Sequence, residues 1–138
     1  MSDTLQLEIV TPERLVVRDT ADEVQIPGKG GYMGILPGHA PLISELAVGE
    51  ITYTHGGSTT RLAVAWGFAE VLPDKVTIVA ETCERAEDID VSRAQAAYDR
   101  AVERMKEGGE IDYDRALIAL QRAEVRLEVA KKGGLAAH

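Results

Sequence analysis

Strict alternation opens the chain. Leu5-Gln6-Leu7-Glu8-Ile9 sets three apolar side chains on one face of an extended segment, as a half-buried strand requires. The theme returns in Val24-Gln25-Ile26, Ile51-Thr52-Tyr53-Thr54, Leu62-Ala63-Val64-Ala65-Trp66 and Val76-Thr77-Ile78. Each run is short and bounded by turn formers: Pro27-Gly28, Pro37-Gly38, Gly56-Gly57 and Pro73-Asp74. His55-Gly56-Gly57-Ser58 reads as a hairpin turn, because glycine takes the positive φ that tight turns demand. Short strands closely spaced by turns predict an antiparallel β-sandwich or flattened barrel.

After Cys83 the period changes. Val91, Ala94, Tyr98, Ala101, Val102 and Met105 recur at three- and four-residue steps, and Gly108-Gly109 follows them. Tyr113, Ala116, Leu117, Leu120, Ala123, Leu127 and Ala130 repeat the spacing, and Gly133-Gly134 is expected to stop that segment. Two amphipathic helices joined by a short Gly-Gly link favour an antiparallel hairpin. The fold predicted is therefore α+β: an N-terminal antiparallel β-sandwich over 1–86, then a C-terminal antiparallel two-helix hairpin over 87–138.

The helices look like copies of one unit. Residues 89–105 and 111–127 align with eight identities in seventeen: Ile89/Ile111, Asp90/Asp112, Arg93/Arg115, Ala94/Ala116, Ala97/Ala119, Arg100/Arg122, Ala101/Ala123 and Arg104/Arg126. Part of this repeat is a helix start. Asp90 and Asp112 are placed to cap free N–H groups, and the isoleucine before each can staple onto the following turn. The arginines ask for more. Arg93-Arg100-Arg104 and Arg115-Arg122-Arg126 keep spacings of seven and four, which gives each helix a cationic edge. If the helices fold together these edges approach, and something acidic has to compensate. Three sources stay open: the chain's own carboxylates (Glu84, Glu87, Asp90, Glu103, Glu124), a bound polyanion such as a nucleotide, or an acidic surface on another protein.

Composition narrows the classes. The 138 residues are 45% hydrophobic and 28% charged, a globular balance with room for one good core. A formal charge of −8 opposes binding to nucleic acid or an anionic lipid surface through general attraction. The acidity is uneven: residues 1–86 carry 6 basic against 12 acidic side chains, residues 87–138 carry 9 against 11. The longest wholly apolar run, Leu62 to Ala69, is far below the roughly 20 residues that span a bilayer, and no basic-then-apolar leader opens the chain. No membrane insertion is expected. A single cysteine, Cys83, suits a reducing compartment and reads as a small hydrophobe.

Enzyme chemistry finds little footing. His39, His55 and His138 show no metal-ligand spacing, and the Gly-rich Gly28-Lys29-Gly30-Gly31 lacks the phosphate-loop pattern. No G-x-S-x-G elbow occurs. Catalytic and metal-ligating residues are accordingly expected to be none. One segment stands out instead. The turn-rich stretch Gly30 to Leu42 carries Tyr32, Met33, Ile35, Leu36 and Leu42, whereas surface loops normally run polar. It is either a lid on the core or a contact surface.

"GILPGHAPL" (Gly34 to Leu42), a sandwich, and then "ERAEDIDVSRA" (Glu84 to Ala94) opening a helix hairpin closely resemble the epsilon subunits of bacterial F-type ATP synthases, in order and over essentially the whole chain. The resemblance implies a ten-stranded sandwich and a non-catalytic subunit of the central stalk of a proton-translocating rotary motor, coupling rotation to ATP synthesis. The implied partners are the gamma subunit, the c-ring and the alpha/beta catalytic head. The implied place is the cytoplasmic face of the bacterial plasma membrane, peripherally bound. The segment holding Tyr32, Met33 and His39 would then be partner contact, although relatives commonly read Glu-Leu at Tyr32-Met33. In similar subunits the hairpin folds on the sandwich or extends to block ATP hydrolysis. No cofactor is required, but in some relatives ATP binds the folded form as a regulatory ligand, at positions matching Glu84, Asp90, Arg93, Arg100, Arg122 and Arg126. A stand-alone nucleotide-sensing module is the alternative.

Overall fold

The computed structural model describes residues 3–108 and 112–136; Gly109, Ile111 and His138, used in the sequence argument, lie outside them. Seven strands form one sheet: β1 (Leu5–Val10), β2 (Leu15–Ala21), β3 (Glu23–Gly28), β4 (Gly31–Ile35), β5 (Leu42–His55), β6 (Ser58–Val71) and β7 (Lys75–Arg85). Their order is β2-β1-β7-β6-β5-β3-β4. β2 and β3 are separated in sequence by Asp22 alone, yet stand near opposite ends of that order. Only a sheet rolled on itself permits this. The seam shows it: Asp22 donates its N–H to the Thr54 carbonyl (2.6 Å), and the Tyr53 hydroxyl donates to Asp19 (3.0 Å). Inside the roll lies a continuous apolar core that includes Leu5, Leu7, Ile9, Val24, Ile26, Ile35, Leu46, Ile51, Leu62 and Ile78.

The strand expectations hold with three differences. Seven strands replace the ten implied by resemblance, because β5, β6 and β7, of 14, 14 and 11 residues, each run through a bend as single elements. At that bend Trp66 adopts φ 55 and Gly67 φ 139, and pairing skips Trp66 on both sides. The sheet is antiparallel except for β1 with β7, which pair in parallel. β2 and β4 escape the alternation rule: β2 buries the adjacent pair Val16 and Val17, and β4 is a glycine-rich edge. The Gly56-Gly57 turn is as expected, with φ 58 and 85 and His55 opposite Ser58.

A single 3-10 turn, Ala86–Asp88, leads to the helices α1 (Val91–Glu107) and α2 (Tyr113–Ala136). Both aspartate caps form: Asp90 accepts from the Arg93 N–H (3.0 Å) and Asp112 from the Arg115 N–H (3.1 Å). Gly108, at φ 65, ends α1. Ala94, Ala101, Ala116 and Ala123 are buried, whereas Val91 and Tyr113, expected in the stripes, are exposed because each opens its helix beyond the seam.

Gly133-Gly134 does not stop α2, which continues to Ala136. Gly133 has a different purpose. A Cβ there would collide with the Cβ of Ala86, so the bare backbone lets the helix approach the 3-10 turn. That approach completes a second apolar cluster of Ala63, Ala86, Ile89, Ala94 and Val129, with Val125, Leu127 and Ala130 against it. The hairpin is thus folded down on the sheet.

Gly133→Leu separates the two readings of this glycine. On intrinsic propensity the change favours helix by about 1 kcal/mol. If close approach is what matters, amide exchange in α2 accelerates while the exchange of β5 and β6 stays as it was, as hydrogen exchange read by mass spectrometry would report.

Candidate functional site

The seat of α2 is built from two rungs across three strands. Ala65 stands between Val48 and Thr82, and Ala63 between Glu50 and Glu84. In a pleated sheet these positions share one face. Here that is the face outside the roll, so Leu62, Ala63, Val64 and Ala65 are buried in succession, core on one side and helix on the other. The apolar run in β6 is explained by cover on both faces. Small side chains in the middle rung positions let the helix come close. Acids stand at both ends of the second rung.

Those acids meet bases on α2. Arg126 Nε lies 2.8 Å from Glu84 Oε1 but out of hydrogen-bond alignment, and its Nη2 donates to Glu84 Oε2 at 3.4 Å, an ion pair that is only partly solvated. Lys132 Nζ lies 3.5 Å from Glu50 Oε2, whose other oxygen accepts from Arg61 Nη1 at 2.9 Å. One turn before Arg126, the guanidinium of Arg122 sits over the Trp66 ring, 5.2 Å from its centre. Between sheet and helices remains a cavity of about 340 Å³. Val48, Ala63, Ala65, Thr82 and Glu84 floor it; Ala97, Ala119, Arg122, Ala123, Val125 and Arg126 close it.

Of the six positions matched to a nucleotide site, the structure gathers Glu84, Arg122 and Arg126 at this cavity. Asp90 is occupied as the α1 cap. Arg93 and Arg100 are exposed on α1, with no ion pair to a described residue. The cationic edges do converge at the turn end, where Arg104 and Arg115 border one cleft with Asp112. Compensation is therefore partly internal: Glu84 serves Arg126, and an aromatic face serves Arg122.

The apolar stretch is strand β4 followed by a turn, and its side chains differ in burial. Ile35 is fully buried and Met33 packs on the core, while Tyr32 and Leu36 are 64% and 57% exposed. His39 turns its ring Nδ1 to the Ala40 carbonyl at 2.7 Å. A further exposed stripe crosses the sheet through directly paired positions: Leu15 beside Val10, Val10 beside Val79, Val79 beside Phe68. Phe68 and Val79 are each 54% exposed, and Ile43, two residues along β5 from the partner of Phe68, is 73% exposed. Exposed apolar side chains that adjoin one another in this way are the kind of surface that partner proteins cover.

Comparison with known proteins bears on this arrangement directly. The family model described as ATP synthase, Delta/Epsilon chain, beta-sandwich domain matches residues 4–86, and the one described as its long alpha-helix domain matches residues 87–131. The chain belongs to the ATP synthase delta/epsilon chain family. The ATP synthase epsilon chain of Koribacter versatilis is 66% identical over 109 residues, covering 79% of this chain and 77% of the relative. That of Solibacter usitatus is 48% identical over 133 residues, 96% of this chain and 99% of the relative. Among solved structures, a chain of the Euglena gracilis mitochondrial ATP synthase OSCP/F1/c-ring assembly superposes with TM-score 0.71 at 21% identity, covering 100% of this chain and 84% of the other. A chain of the Tetrahymena thermophila mitochondrial ATP synthase central stalk and c-ring gives 0.56 at 9% identity, covering 94% and 95%. Both likenesses establish the shared fold. No helix among the described residues is long and apolar enough to cross a membrane, and no described cluster of His, Cys, Asp and Glu could hold a metal ion.

Four participants went unnoticed in the sequence: Trp66, Glu50, Lys132 and Val129. Val129 and Trp66 carry no periodic signal, because α2 is buried on two sides and Trp66 sits where β6 breaks its alternation. The apolar run of β6 was the available clue, since it implied a covering element.

Cys83, next to Glu84 but facing the core, is a buried thiol pushed up to about 12, chiefly by desolvation and further by the Glu84 charge. Its folded-state value lies above the ordinary 9.0, so the native state holds the extra proton. Stability from this group is present below 9.0 and drains away as pH rises toward about 12. Urea titrations should show a steeper alkaline loss for the wild type than for Cys83→Ala, and the folded thiol should resist a disulfide reagent near pH 8, about where a free thiol already reacts.

Proposed function

We propose that this chain is the non-catalytic central-stalk epsilon subunit of a proton-translocating F-type ATP synthase, and that its hairpin regulates ATP hydrolysis by moving between a folded and an extended posture. The observation that carries the proposal is the composition of the α2 seat. A permanently fixed helix would be expected to bury large side chains against the sheet. Over most of its seat this one rests on alanines, a missing Cβ at Gly133, two ion pairs at the rim and one cation–π contact, while its one fully buried large side chain, Val129, packs in a single cluster with Ala63, Ala86 and Ile89. Arg126 and Glu84 keep 26% and 35% of their side-chain surface exposed, so this arginine can exchange its carboxylate for another anionic partner. The same arginines can therefore be neutralised on the sandwich or, with the hairpin extended, by acidic surface on the alpha/beta catalytic head.

Nucleotide binding fits the folded posture. A cavity of about 340 Å³ lies at the lower end of the range for ligand pockets. Its apolar wall suits a base, and Arg122 and Arg126 suit phosphates through charge-assisted bonds. Arg93 and Arg100 stand about one turn to either side of Ala97, the α1 residue that lines the cavity. Such a ligand stabilises the folded state only by its differential affinity for it. The exposed faces supply the partner surfaces: the stripe Leu15, Val10, Val79, Phe68 for the gamma subunit, and the edge holding Tyr32, Met33, Leu36 and His39 for the c-ring. Held by those partners, the chain sits peripherally at the cytoplasmic face of the plasma membrane without entering it.

The paired substitution Arg122→Ala with Arg126→Ala tests both limbs. ATP titration of the isolated chain, followed through its single tryptophan, should show binding weakened at least about tenfold, the loss expected for two charge-assisted contacts. In a reconstituted complex the same variant should inhibit ATP hydrolysis less. Wild-type behaviour in both assays rejects the proposal.

A further inference from the structure

The ladder between β3 and β5 is interrupted. Pairing runs Gln25 with Thr52 and resumes at Gly28 with Leu46, so Ile26 and Pro27 alone face the stretch Ala47 to Ile51. Pro27 has no N–H to offer there. Into this gap reaches a side chain from the next strand. The Tyr32 hydroxyl, carried over Pro27 by their pairing in β3 and β4, accepts the N–H of Glu50 at 2.9 Å. Gly49 makes room for it, since a Cβ at that position would lie 2.7 Å from the Tyr32 oxygen. A phenol thus takes the place of a missing strand partner.

The residue it holds is the one that receives the end of α2. The Glu50 carboxylate is largely buried, joined to Arg61 on one oxygen. The other oxygen, Oε2, has no hydrogen-bond partner among the described residues, and only Lys132 Nζ approaches it, at 3.5 Å. We propose that Tyr32 is a positioning residue for the hairpin: by fixing the backbone at Glu50 it sets the carboxylate that receives Lys132, so the exposed β4 edge and the docked posture of α2 are linked. Anything that turns the Tyr32 ring then alters how readily α2 leaves. The linkage rests on the mobile hairpin of the proposed function and adds the route by which a distant surface reaches it.

Hydrogen exchange on the full chain separates the two ideas. In the wild type, amides of residues 125–132 should exchange faster than those of β5 and β6, which is the signature of a hairpin that opens apart from the sandwich. If both exchange only together, the hairpin does not move and the proposed function fails along with the linkage. Tyr32→Phe keeps the ring and removes the acceptor. It should speed exchange in 125–132 by about fivefold, the worth of one hydrogen bond, with β5 and β6 unchanged away from Glu50. Lys132→Ala should do the same, and the double variant should be little faster than either single one, because both cut the same connection. Multiplying effects, an unchanged helix in Tyr32→Phe, or equal acceleration throughout the sandwich would each overturn the linkage while leaving the mobile hairpin intact.

Discussion

One strand buried on both faces organises the molecule. Inside the roll, Leu62 and Val64 of β6 belong to the sandwich core. Outside it, Ala63 and Ala65 need an apolar cover, which α2 supplies through Val129 together with Ala86 of the 3-10 turn and Ala94 and Ala97 of α1. The hairpin is therefore an outer layer of the sheet as much as an appendage. Much of the covering contact is made by alanines, with Val129 and Ile89 confined to one cluster, and the charged rim adds to the hold of that layer.

That contribution bears on the arrangement of charge. Eleven carboxylates against nine bases make the helical half nearly neutral, yet its arginines are concentrated along edges. Two of them are accounted for at the seat, Arg126 by Glu84 and Arg122 by Trp66. The strained backbone of Trp66, at φ 55, is a cost of roughly 1–3 kcal/mol that the surrounding bend has to offset. Its return is an aromatic face set at the point where the helix passes. Arg93 and Arg100 are left to solvent on α1, available to another anion.

Much of this was legible in the residues. The period-2 runs located five strands, the Gly56-Gly57 turn was found with its geometry, and both aspartate caps were read from the duplicated helix starts. The misses have physical reasons. Counting one stripe per helix overlooked Val125 and Val129, since a helix caught between a partner helix and a sheet is apolar on two sides. Gly133 read as a terminator because a bare backbone signals a helix end as readily as a close approach, and only the position of Ala86 distinguishes them. At the candidate site, sequence matching named Glu84, Arg122 and Arg126 but had no access to Trp66, Glu50 or Lys132, whose roles arise from pairing registers far apart in the chain.

The parallel pairing of β1 with β7 has a mechanical meaning. The strand from which the helices depart is interior, flanked by β1 on one side and β6 on the other. Torque or tension arriving through the hairpin would run along the axis of that strand and load its lateral hydrogen bonds together, in shear, where peeling an edge strand would break them one at a time. The first strand of the chain acts as a splint beside the last, so the sandwich can serve as a rigid mount for whatever load the helices carry.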